Sequence, residues 1–187
     1  MLFRSQHGSE RFDEVVLATH SDQALRLLAQ PTAQEQAVLG AIRYHPNRAW
    51  LHTDASVMPR RTKAWAAWNY ERGPAQDDDG SRHVCLHYWL NRLQPLPFRD
   101  PVFVSLNPLR PLNPQHVLQE IHYEHPVFDL GAIQAQQHVP SMQGQHRTWF
   151  AGAWMGYGFH EDGLRAAQSV VQQWLLRHQA VPLGGMP

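Results

Sequence analysis

The stretch from Trp149 to Leu164, WFAGAWMGYGFHEDGL, limits the fold more than any other part of the chain. Thr148-Trp149-Phe150-Ala151 is an apolar run too short for a helix and closed by a glycine, so it reads as a short strand. Gly152 to His160 follows as a glycine-punctuated loop, and Glu161 to His178 as an amphipathic helix. Leu164, Ala167, Val171, Trp174 and Leu175 recur there at helical spacing, so that face is expected to pack on a sheet. Free backbone amides and the positive end of the helix dipole make such a start a seat for an anionic or carbonyl-bearing ring. The same pattern equally suits a plain strand-to-helix turn whose glycines only satisfy dihedrals.

The opposite end of the chain carries a second strand signal. Phe12 to Thr19 holds a β-branched apolar run bounded by charges, which predicts a buried parallel strand central in a sheet, with Met1 to Glu10 as its polar lead. Ser21 or Asp22 is expected to cap a short helix with Ala24, Leu25, Leu27 and Leu28 on its apolar face. Thr32 caps a second helix running to about Ile42, with Glu35 completing a capping box.

From Tyr44 the helical period gives way to short alternating segments split by Pro, Gly, Asn and Asp. Strands are expected at 49–53, 63–70, 83–90, 103–106 and, more weakly, 117–123, and a short helix at 131–138. The loop from Glu71 to Arg82 contains Asp77-Asp78-Asp79-Gly80, which reads as exposed turn chemistry.

Composition removes several function classes. Sixteen basic side chains balance sixteen acidic ones, which gives no pull toward nucleic acid or an anionic membrane surface. No apolar stretch approaches the roughly 20 residues of a membrane-spanning helix. The single cysteine, Cys85, reads as a buried structural thiol and fits a reducing compartment, so a cytoplasmic location is expected. Thirteen histidines raise the question of a metal, but the pairs His83/His87 and His122/His125 have neither a helical HExxH context nor thiolates, and no metal site is expected.

With the segments placed, a resemblance can be read. The strand ending in Ala151-Gly152, with its loop and helix, resembles the C-terminal flavin motif of the amine oxidase, protoporphyrinogen oxidase and phytoene desaturase group. It looks most like bacterial amine-oxidase-like proteins described as predicted NAD/FAD-binding proteins. Phe12 to Leu28, with Ala18-Thr19-His20-Ser21-Asp22, is similar to that subgroup. So is Tyr44 to Tyr70, with Tyr44-His45-Pro46-Asn47-Arg48-Ala49 and Ala64-Trp65-Ala66-Ala67-Trp68-Asn69-Tyr70.

The resemblance implies that Gly152 lies under a flavin and that the amides near Glu161 to Leu164 face its pyrimidine edge. The implied cofactor set is Gly152, Ala153, Trp154, Gly156, Tyr157, Gly158, Phe159, His160, Glu161, Asp162, Gly163 and Leu164. It also implies that the middle strands form a substrate-domain sheet, with His52, Trp65, Trp68, Asn69 and Tyr70 as candidate substrate residues. Larger relatives carry an acid where this chain has Ala153, and complete members begin with a GxGxxG loop that is absent here.

The expected architecture is therefore α+β: a mixed or antiparallel substrate-domain sheet flanked by helices, plus the remnant of a Rossmann-like FAD domain built from both chain ends. Residues 1–43 and 148–187 would be the FAD-domain parts and 44–147 the sheet region. The expected function is the C-terminal part of an FAD-dependent oxidoreductase acting on a small molecule, with catalytic residues not assigned. It would need its N-terminal dinucleotide-binding half, and it would bind FAD weakly or not at all alone. The competing expectation is a non-catalytic interaction or dimerisation module, since unpaired strand edges recruit other chains.

Overall fold

A computed structural model describes residues 2–76 and 82–179. In chain order its elements are β1 (Leu2–Ser5), β2 (Gly8–Arg11), β3 (Val15–Leu17), α1 (Ser21–Leu27), α2 (Ala33–Gly40), β4 (Arg43–His52), β5 (Trp68–Gln76), β6 (Arg82–Trp89), α3 (Leu90–Leu93), β7 (Phe103–Leu106), β8 (Val117–Val127), α4 (Leu130–Gln136), α5 (Val139–Met142), β9 (Thr148–Phe150) and α6 (His160–Gln179). The fold is α+β, with a five-stranded antiparallel sheet, a parallel two-stranded sheet, a β1–β2 hairpin and six α-helices among the described residues. The acidic triplet Asp77–Asp79 lies outside the described residues.

The chain divides into two compact units, Met1–His45 with Pro126–Pro187, and Pro46–His125. Residues 126–147, expected with the sheet, thus pack with the chain ends.

In the first unit β3 and β9 pair in parallel, Val15 with Thr148 and Leu17 with Phe150. Phe150 sits in a core with Ala24 of α1, Val38 and Leu39 of α2, Ile42, Ala132 and Ala135 of α4, and Val139 and Met142 of the short α5. Each fully buried aliphatic or aromatic side chain in such a cluster contributes about 1.5–3 kcal/mol. The opposite face of β9 presents Trp149 and Ala151 to Ala166 and Val170 of α6. Trp149 also donates its indole N–H to Glu14 Oε2 at 2.9 Å.

Four expectations are corrected here. The residues before Phe12 form the β1–β2 hairpin, with Leu2 opposite Arg11, rather than a plain lead. The strand after it is only three residues long and has one neighbour among the described residues, so it is not central there, and Val16 is 53% exposed. His20, not Ser21 or Asp22, precedes the first helical residue of α1, and its amide donates to the Gln23 side chain. Finally, α6 buries the stripe through Ala166 and Val170, and leaves Leu164, Val171, Trp174 and Leu175 exposed, with Ala167 on the same outer side. The cause is the Trp149 indole, which fills the space beneath the helix and admits only small side chains. The capping box is as expected: Thr32 accepts from the Glu35 amide at 3.1 Å, and the Glu35 carboxylate accepts from the Thr32 amide at 2.7 Å.

In the second unit the strand order is β5-β6-β7-β4-β8. His87 faces Ser105 and Asn69 faces His87 in register, so one face carries Asn69, Glu71, Cys85, His87, Phe103, Ser105, Trp50 and His52. The segments around Val57, Met58 and Leu112 cover it, and Phe103 is buried among them. The strand expected at 63–70 begins only at Trp68, because residues 62–64 form a 3-10 turn. Asn69 then closes a local turn by accepting from the Ala66 amide at 3.0 Å and donating to its carbonyl at 2.7 Å.

Candidate functional site

Because β3 and β9 run in parallel, their carboxyl ends lie at the same edge, and the loops that follow them meet there. In α/β sheets this is the edge where ligands bind. Trp154 joins the two loops by donating its indole N–H to the Thr19 carbonyl at 2.9 Å. It is 3% exposed and lies directly against Gly152, so that a Cβ at position 152 would collide with the indole. Gly156 is glycine for a similar reason, its open side being taken by the Asp162 carboxylate. That carboxylate accepts from the amides of Tyr157 and Phe159, each at 3.0 Å. Gln136 holds the turn from beneath, donating to the carbonyls of Trp154 at 2.8 Å and Gly156 at 2.7 Å. Gly158, at φ +87, adopts a backbone conformation that strongly favours glycine.

The turn is thus filled by its own side chains: Trp154 occupies the space over Gly152, and Asp162 consumes two amides at the start of α6. Of the remaining candidate positions, Ala153 and Gly163 are half-buried, while Tyr157, Gly158, Phe159, His160, Glu161 and Leu164 are exposed. Tyr157 packs edge-on against Phe128, with ring centroids 6.1 Å apart. Among the described residues four buried polar atoms have no hydrogen-bond partner: Trp89 Nε1 in the second unit, and His20 Nδ1, Ser21 Oγ and Asp22 Oδ1 where α1 begins after the β3 loop. Ser21 is fully buried, which makes its unpaired hydroxyl costly, whereas the Asp22 carboxylate is paired through Oδ2 with Arg26 at 2.6 Å. Nothing in the sequence singled out Ser21 for this role, since it was read as a helix cap.

The five candidate substrate residues do not gather at one point. Trp65 is half-buried and packs against the core, edge-on to Trp89 and Phe103 at 5.3 and 5.7 Å. Trp68 and Tyr70 share the outer face of β5 and are 57% and 67% exposed. Asn69 and Tyr70 line a cavity of about 310 Å³ together with Met58, Glu71, His87 and Arg110.

His52 belongs to a buried polar array. Its Nδ1 accepts from the Asp54 amide at 3.1 Å, so the ring proton of the neutral imidazole is on Nε2. That nitrogen donates to Ser105 Oγ at 2.7 Å, Ser105 donates to His87 Nδ1 at 2.6 Å, and His87 Nε2 donates to Glu71 Oε2 at 3.3 Å. The Asp54 amide at one end and the Glu71 carboxylate at the other together fix the order of protons along the chain. Burial holds His52 well below its ordinary value, at about 4, and lowers His87 as well, so both rings are neutral. Burial also pushes the Cys85 thiol up to about 12, which makes it an inert protonated group 3.3 Å from His87 Nε2.

This wiring decides what the array is. Ser105 donates to His87 and His87 to Glu71, the hydrogen-bond order of an activated hydroxyl, but Ser105 is fully buried, out of reach of a substrate, so the array is structural and not a hydrolytic centre. The proton on His87 Nε2 leaves that nitrogen no lone pair for a metal. Among the described residues no group of three or more His, Cys, Asp or Glu is arranged to hold a metal ion. Nor is any described helix long and apolar enough to cross a membrane.

No family model matches the sequence, and no curated protein matches it. Solved structures do match. The fold is similar to that of a fatty acid isomerase. That structure, the crystal structure of a CLA-producing fatty acid isomerase from P. acnes, aligns with a TM-score of 0.54 at 15% sequence identity over 94% of this chain. The chain spans 44% of the isomerase's length. At that identity the likeness to the isomerase is one of fold.

Proposed function

We propose that the chain is part of an FAD-dependent oxidoreductase and supplies the edge of the nucleotide unit against which the flavin ring rests. The observation that carries this reading is the meeting of the segments that follow β3 and β9 at one edge, where α1 begins with Ser21 Oγ and Asp22 Oδ1 buried without hydrogen-bond partners. The resemblance of Ala18–Asp22 and Trp149–Leu164 to amine-oxidase-like flavoproteins supports it, as does a fold shared with a larger enzyme. In this reading Ser21 and Asp22 take over the polar contacts to the ring. Trp154 forms a wall, so that Gly152 serves packing and not close approach of the cofactor. The flavin would accept a hydride, while the protein orients the substrate and excludes water.

Titration of riboflavin into the protein tests the reading, because this ligand keeps the ring and lacks the pyrophosphate that a GxGxxG loop would hold. Weak, saturable quenching of flavin fluorescence is expected, reduced at least tenfold by Ser21→Leu and not competed by ADP. Absence of saturable quenching, or efficient competition by ADP, would overturn it.

The interaction-module reading rests on a separate observation, the exposed apolar side chains Leu164, Val171, Trp174 and Leu175 on α6. Concentration-dependent dimerisation in light scattering, weakened by Val171→Glu, is the expected result under that reading. A monomer at all concentrations would remove self-association.

A further inference from the structure

A second cavity, of about 610 Å³, lies wholly within the Pro46–His125 unit and stands independently of the flavin proposal. Its walls include Arg48, Trp50, Leu109, Arg110, Leu112 and Val117. The volume falls in the range of about 300–1,000 Å³ that holds small molecules, and the lining is apolar with two guanidinium groups.

One wall is a proline-rich strap, residues 108–114, tied down at both ends. At its start Asn107 accepts from the Arg48 amide at 2.9 Å and donates to Asn47 Oδ1 at 2.7 Å. At its end the Asn113 amide donates to Asp54 Oδ2 at 2.9 Å, and Leu112 packs into the core with Phe103. Pro108, Pro111 and Pro114 restrict the backbone between these points, so the cavity is preformed.

The two cations differ in availability. Arg48 is committed to Glu120, its Nε donating at 2.6 Å, and lies over the Trp50 ring at 5.1 Å. Arg110 reaches Glu71 at 3.4 Å, a long contact that leaves most of its five N–H donors for another acceptor. Arg110 lines both this cavity and the smaller one, and on the side of the smaller one it meets Glu71, the end of the His52–Ser105–His87 array, so the carboxylate that anchors the arginine is itself held.

We propose that this cavity binds an amphipathic carboxylate, with the anionic head on Arg110 and the apolar body along Trp50, Leu109, Leu112 and Val117. A guanidinium matches a carboxylate in planar, bidentate geometry. An alkylammonium would meet two positive groups, and an alcohol would lose the charge-assisted contact.

The test is calorimetric titration of the whole chain with dodecanoate below its micellar range, beside acetate, dodecanol, dodecyl phosphate and dodecylammonium. Saturable binding of dodecanoate is expected, with acetate, dodecanol and dodecylammonium at least tenfold weaker and dodecyl phosphate weaker than the carboxylate. Arg110→Met, at an exposed position whose fold is checked by circular dichroism, should raise the dodecanoate dissociation constant at least tenfold and leave dodecanol unchanged. Leu109→Glu, which places a like charge on the apolar wall, should abolish dodecanoate binding. The proposal is overturned if dodecanoate does not saturate, if dodecanol or dodecyl phosphate equals it, or if Arg110→Met binds it as well as the parent does.

Discussion

Trp154→Ala should lower the unfolding free energy by about 3–5 kcal/mol, the usual cost of deleting a buried large aromatic from a core that relaxes only partly. Trp154 is nearly inaccessible, belongs to the cluster around Phe150, and fills the space beside Gly152. Its indole N–H also satisfies the Thr19 carbonyl, and loss of that bond is part of the cost. Trp154→Phe separates the two contributions: it keeps most of the packing and loses the hydrogen bond, for about 1–2 kcal/mol. Urea denaturation of the three proteins measures both. A Trp154→Ala midpoint equivalent to less than 1 kcal/mol of loss would mean that this turn is not the structural junction described above.

The second large effect is a loss of stability in mild acid. A histidine in the unfolded chain titrates near 6.5, whereas burial holds His52 at about 4 in the folded protein. Between those values the unfolded chain binds a proton that the folded chain does not, so stability falls as the pH falls. Stability from this group is undiminished above about pH 6.5 and falls through the window, and the loss amounts to about 3 kcal/mol once the pH reaches 4. His87, lowered by burial in the same array, acts in the same direction. Asp54 extends the loss to lower pH. Burial raises its carboxyl, but the amides of Asn113 and Ser56 outweigh that and hold it below the ordinary value, so its contribution disappears when it is protonated. Urea midpoints at pH 7.5 and pH 5 should differ clearly for the parent and much less for His52→Gln, whose amide can still donate toward Ser105. Equal midpoints for the parent at the two pH values would contradict the buried neutral array.

Local chemistry was legible in the sequence wherever a short signal determined a short structure. Thr32 and Glu35 announce a helix start because both partners of the capping box lie within one turn. Phe103–Leu106 appears as a strand because its apolar period survives between prolines. The inward face of α6 was misread because periodicity ranks faces by the size of their apolar side chains. Here the decisive neighbour, Trp149, selects small ones. Trp65 was placed in a strand by its aromatic surroundings, whereas the Asn69 side chain builds a turn there through atoms whose use cannot be read from residue type.

The candidate sites divide in the same way. The glycines at 152 and 156 were visible, but not the indole and carboxylate that occupy their open sides. Glu71, His87, Ser105 and His52 each sit at the inward parity of their own strand. Their joining into one array depends on register across four strands, which a single sequence does not contain. Arg110 was hidden for a further reason: it lies in the proline-rich strap, where no period exists to point a side chain.

The parallel pairing of Val15–Leu17 with Thr148–Phe150 has a consequence for the order of assembly during synthesis. β3 can pair with β9 only after Thr148 has left the ribosome, by which time residues 46–125 have already emerged and can form their own sheet. Contacts of such long sequence separation close slowly. Until they do, a finished insert stands between two unpaired strands, and Val16 and Phe150 are apolar side chains left open to other molecules.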